Sequence, residues 1–168
     1  MKIRPITLIL ILISFSISCE KQYLDNPEVD HYVEQLKAGQ YNSYDLPEFQ
    51  ASDIPALLKY RNDTTSITNF PRNGISSLWM MKCKLGMYVL WTIESVRAVE
   101  INSEYLIGRF PSQNPVLAIR DAPQLELVFD NESHSIAAKA YNTWWHSIYT
   151  FRDKMKIDPL EETKYRWH

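Results

Sequence analysis

The sequence predicts an all-α domain of four to five helices, built as an antiparallel bundle or a short HEAT-like array of helical hairpins. Three observations lead there. Apolar residues recur at spacings of three and four through three long stretches, which is the period of an amphipathic helix. Capping residues, prolines and a glycine stand where those stretches begin and end. The one strand-like run, LELVF at 125–129, has no visible partner, and a lone strand is not stable.

The first helix is the clearest. Asn26 is a good N-cap, Pro27 suits the first helical position, and Gly39 can close the far end. Between them Val29, Tyr32, Val33 and Leu36 form one stripe, while Glu28, Asp30, His31, Glu34 and Lys37 occupy a solvated face. A second helix is expected from Ser52 as cap, with Asp53 near its positive end and Pro55 in its first turn, fading near Arg61-Asn62-Asp63. The connector that follows, NDTTSITNFPRNG, is rich in turn residues.

LWMMKCKLGMYVLWTIESVRAVEI, from Leu78 to Ile101, is apolar nearly all round and reads as the central helix of the bundle. Gly86 within it allows close approach by a neighbour. Glu94 and Arg97 read as a surface pair one turn apart, worth a few tenths of a kcal/mol by the rough scale of such contacts. Residues 102–131 form an irregular segment in which Asn114-Pro115 suggests a short helix start. A last long helix is expected from Ser133 to Lys156, stopped by Asp158-Pro159, with a short charged tail behind it. The phrase FPRN at 70–73 returns as FPSQN at 110–114, a faint forty-residue echo consistent with helical repeats.

The N-terminus decides location. Lys2 and Arg4 precede an apolar run from Ile6 to Ile13 and a serine-rich stretch ending at Ser18-Cys19. A membrane-spanning helix needs about 20 predominantly apolar residues, so this run reads as a lipoprotein signal peptide over 1–18. Small Ser18 before Cys19 makes Cys19 the expected lipidation site, with 19–25 as the lipidated tether and 26–168 as a single helical domain. Two or more acyl chains hold a protein stably on a bilayer. The expected location is the bacterial cell envelope, at the periplasmic face or the cell surface, with the membrane reached through the N-terminal lipid. With Cys19 so used, Cys83 is the one remaining cysteine, and its apolar surroundings favour burial.

Removing residues 1–18 takes Lys2 and Arg4 with it and leaves sixteen basic against twenty acidic residues. That balance argues against a nucleic-acid partner, which selects a clustered basic surface. No cofactor or metal motif is present. Gly-x-Ser-x-Gly and His-Glu-x-x-His are both missing, and the four histidines are scattered at 31, 134, 146 and 168.

LPEFQASDIPALLKY, NFPRNGISS, LGMYVLWTIESVR and FPSQNPVL, behind a serine-rich signal and Cys19, resemble a family of uncharacterised lipoproteins from gut Bacteroidetes. That resemblance implies origin and location, and no activity. The functional expectation is therefore a non-catalytic binding or accessory module for an envelope protein or a glycan. The alternative is an envelope hydrolase using paired carboxylates, whose spatial separation a sequence does not display. Aromatic platforms suit the first reading, with Trp145 and Trp79 as candidates. Arg72, Asn73, Ser112 and Asn114 are the polar residues expected at a groove rim.

Overall fold

The computed structural model describes residues 25–168. The expected signal peptide, Cys19 and most of the expected tether lie outside those residues. Among the described residues the chain forms five α-helices and two small antiparallel sheets, so the fold is mixed α/β and the all-α and HEAT-like expectations are corrected.

Helix α1, Pro27–Ala38, follows its sequence signals closely. Asn26 accepts from the backbone N–H groups of Glu28 and Val29, and Gly39 takes the left-handed conformation with φ 67° that closes the helix. A 3₁₀ turn at Ala51–Asp53 leads into α2, Ile54–Leu58, which is shorter than the sequence suggests. Ser52 is not its cap. The Asp53 carboxylate instead accepts from Gln50 N at 2.8 Å and from Asn26 Nδ2 at 2.7 Å, tying the two helix starts together.

Strand β1, Ser66–Ile67, pairs with β2, Cys83–Lys84, and α3 follows at once as Leu85–Glu100. The stretch 78–84 is therefore no part of the central helix. Its backbone is spent on the β1 pairing and on Arg72, whose Nε donates to Met80 O at 2.9 Å. Helix α3 is the centre of the core: Leu85, Tyr88, Val89, Leu90, Trp91 and Ile93 are all fully buried.

The second sheet overturns three expectations. Strand β3, Leu117–Ile119, lies between β4, Leu127–Val128, and β5, Tyr165–Trp167. The strand-like run at 125–129 thus has a partner, with Leu117 opposite Val128 and Ala118 opposite Leu127, and the expected charged tail carries the third strand. Asn114-Pro115 starts no helix; Asn114 N donates to His168 O at 3.0 Å and extends the sheet. Helix α4, Asn131–Trp145, ends well before Lys156, and α5, Phe151–Lys156, is a separate helix capped by Thr150. The break folds α5 back so that Trp144 Nε1 donates to Lys154 O at 2.8 Å. No described helix is long and apolar enough to cross a membrane.

His134 of α4 packs against α3 where Gly86 leaves room, its Nε2 lying 2.8 Å from Arg61 O. Burial lowers its pKa below the ordinary 6.5, outweighing the Arg61 carbonyl, which favours the proton. The unfolded chain then binds that proton more readily than the folded one. Its contribution to stability is present above the unfolded value and is lost as pH falls from there through the lower folded one. Thermal melts should show a fall in stability on acidification from pH 7 to 5.5, with a smaller slope in His134→Gln.

Candidate functional site

Loops 40–46 and 69–79 enclose a groove of about 380 Å³ on the protein surface. Aromatic rings and small polar side chains share its lining: Tyr41, Tyr44, Phe70 and Trp79 stand with Asn42, Ser43, Asn69, Asn73 and Ser76. Two of the rings are open to solvent, Tyr44 at 93% and Trp79 at 69%. Covering such rings removes apolar area from water, at about 25 cal/mol per Å².

Arg72 explains how Trp79 is held. Its guanidinium donates to the carbonyls of Met80 (2.9 Å), Phe70 (3.3 Å) and Thr68 (2.9 Å), so the loop's own backbone fixes its plane. The same cation lies 4.4 Å from the Phe70 ring centroid and 4.8 Å from that of Trp79. Cation–π contact is worth about 0.5–1 kcal/mol at exposed sites. Arg72 is a positioning residue, and Trp79 is the ring it presents.

The remaining predicted rim residues are brought together, but as a support beneath the groove. Asn73 is buried and donates through Nδ2 to Ser112 O at 3.0 Å, while its Oδ1 accepts from Ile75 N. Ser112 Oγ accepts from Trp91 Nε1 at 2.8 Å, anchoring the loop to the core. Asn114 is also buried. Its carbonyl faces Ser76 Oγ at 2.5 Å and His168 Nδ1 at 3.1 Å, and its amide nitrogen faces the Leu78 and Gln113 carbonyls at 3.2 Å, the orientation that pairs every donor with an acceptor. Trp145 lies elsewhere, at the end of α4. It is half-buried beside Trp144, and the Lys154 ammonium covers its ring at 5.0 Å.

Tyr44 and Asn69 carry no sequence signal that marks them as site residues. Asn69 Nδ2 donates to Gly39 O at 2.8 Å, so the groove floor is tied to the end of α1. Their turn-rich contexts signal a loop without saying that the two loops meet.

A second cleft of about 540 Å³ lies beyond Asn73 and is lined by three carboxylates, Glu94, Glu104 and Asp158. Glu94, expected at the surface, is buried. Arg97 grips both its oxygens, with Nη2–Oε1 at 2.5 Å, and Tyr141 OH donates to Oε2 at 2.8 Å. Asp158 pairs with Arg120 at 3.1 Å and accepts from Leu160 N. Both carboxylates are thus committed to holding the fold. Cys83 and His134 line a third cavity of about 260 Å³. Burial pushes the Cys83 thiol up to about 12, which is the wrong direction for a nucleophile. Among the described residues no group of three or more His, Cys, Asp or Glu is placed to hold a metal ion.

Residues 23–168 match a family described as a domain of unknown function, DUF4943. No curated protein and no solved structure matches the chain.

Proposed function

We propose a role for a chain that belongs to the DUF4943 family: it is a non-catalytic binding module of the bacterial cell envelope, anchored through lipid on Cys19, that holds a glycan in the Trp79 groove. The finer placement among Bacteroidetes lipoproteins belongs to the same proposal and rests on the motifs quoted above. One observation carries the binding reading. Trp79 is exposed with its ring centroid 4.8 Å from the Arg72 guanidinium, which three loop carbonyls hold in place, in a groove also lined by other rings, hydroxyls and amides. A sugar offers the matching surfaces, with C–H faces for the rings and hydroxyls for the polar groups. A ring fixed before binding loses little rotamer entropy when the ligand arrives.

The hydrolase alternative needs two carboxylates free to take and give a proton across a glycosidic bond. The cleft that gathers Glu94 and Asp158 has them occupied by Arg97, Tyr141 and Arg120, which favours the binding reading.

A glycan array probed with the full chain tests the proposal. Trp79→Ala should weaken any positive signal by about 30-fold or more, the scale of a hot-spot aromatic, with an unchanged melting temperature. Trp145→Ala should leave it intact. Equal signals from the native chain and Trp79→Ala would remove the groove from the account. Capture of an envelope protein in place of any glycan would redirect it to the other partner class.

A further inference from the structure

Ile148 is fully exposed, and Tyr149 and Phe151 beside it are 56% and 50% exposed. The three crown the turn between α4 and α5, a concentration of apolar surface that scattered surface residues do not produce. Exposed Arg152 and Lys156 follow on α5.

The position of this tip in the fold gives it meaning. Lys37 at the end of α1 pairs with Asp63 at 2.7 Å, and Asp63 O accepts from Gly86 N at the start of α3. Midway, Tyr32 OH meets Thr92 Oγ1 at 3.0 Å. Helix α1 therefore runs antiparallel to α3, and its first residues lie where α3 ends. Helix α4 runs parallel to α3: His134 meets Arg61 beside Gly86, and Tyr141 meets Glu94 farther along. Its C-terminus and the tip thus also lie where α3 ends, as the bond from Arg97 Nη1 to Met155 O at 3.0 Å confirms. The point where the chain enters the domain, Asp25-Asn26, and the apolar tip share one end. The Trp79 groove lies beside the first half of α3, tied to Gly39, through Pro71 O to Tyr88 in the first turn and through Asn73 and Ser112 to Trp91.

Five residues stand between Cys19 and Asp25, so the six steps of chain reach about 20 Å when fully extended. We infer that the Ile148-Tyr149-Phe151 tip docks into the lipid bilayer interface, fixing the domain upright with its groove turned away from the membrane. The inference rests on the lipid-anchor reading of Cys19. Tyrosine is enriched at headgroup depth, and apolar side chains gain by entering the acyl boundary while Arg and Lys meet anionic headgroups.

The test uses the lipidated full chain in vesicles of phosphatidylethanolamine and phosphatidylglycerol. An environment-sensitive fluorophore is placed at Ile148→Cys or, for comparison, at Asn42→Cys in the groove. Cys83 is buried and should stay unlabelled in the folded protein. The vesicles should float with the protein, and the label at 148 should emit blue-shifted light that is lost with brominated lipid, while the label at 42 stays water-like. Flotation with water-like emission at 148 overturns the docking and leaves the anchor standing. A blue shift insensitive to brominated lipid means that protein covers the tip, and also overturns it. Failure to float overturns the anchor itself and the docking with it.

Discussion

Glu94→Ala should cost about 3–5 kcal/mol of folding stability, the range for removing one partner of a buried ion pair. Side-chain exposure is 9% for Glu94 and 12% for Arg97, so solvent has little room to replace the lost carboxylate. Three groups lose their acceptor together: Arg97 Nε, Arg97 Nη2 and the Tyr141 hydroxyl. Tyr141 in turn accepts from Trp167 Nε1 at 2.8 Å, so the damage reaches strand β5. Natural domains are stable by only about 5–15 kcal/mol, and the loss should lower the melting temperature by roughly 10 °C for a domain of this size. Replacing both partners, Glu94→Leu with Arg97→Met, should recover most of that loss, because no buried charge is left alone. Calorimetric melts of the two variants check the pair. A surface pair would instead cost less than about 1 kcal/mol.

The second large effect is expected at Gly86. A Cβ there would stand 2.5 Å from Arg61 O and 2.5 Å from His134 Nε2. Alanine gains about 1 kcal/mol in helix propensity over glycine. Against that stand overpacking, at about 1–3 kcal/mol, and the strained or broken His134–Arg61 bond, whose unsatisfied carbonyl costs about 1–3 kcal/mol. The contact wins, since a backbone carbonyl cannot swing aside as a flexible side-chain end can. Gly86→Ala should be destabilised by about 2 kcal/mol on balance. Chemical denaturation measures the loss, and faster amide exchange at 58–65 would locate it.

Both sites show what the sequence could convey. Asn26, Pro27 and Gly39 made α1 legible because each acts on its immediate neighbours. The apolar run through α3 was legible as the core's centre, yet its N-terminal limit was not, since Cys83-Lys84 pairs with Ser66-Ile67 and Met80 O accepts from Arg72. The second sheet was hidden for the same reason. Three strands of two or three residues carry almost no periodicity, and the link of Leu117 to Trp167 spans fifty residues. The break after Trp145 was readable in one detail: Thr150 and Asp153 have the spacing of a capping box, and Thr150 Oγ1 donates to Asp153 Oδ2 at 2.6 Å. The apolar spacing of Ile148 and Phe151 masked it. At the site, Trp79 and Arg72 were visible as residue types. Their stacking depends on Arg72 finding three loop carbonyls, and no spacing rule encodes that.

The groove's role is most directly tested by the five indole N–H signals in a ¹⁵N spectrum of the full chain. They are followed as the glycan identified on the array is added. The account predicts that the Trp79 signal moves with saturation while those of Trp91, Trp144, Trp145 and Trp167 hold still. A saturable shift at Trp145 with Trp79 unmoved would contradict it.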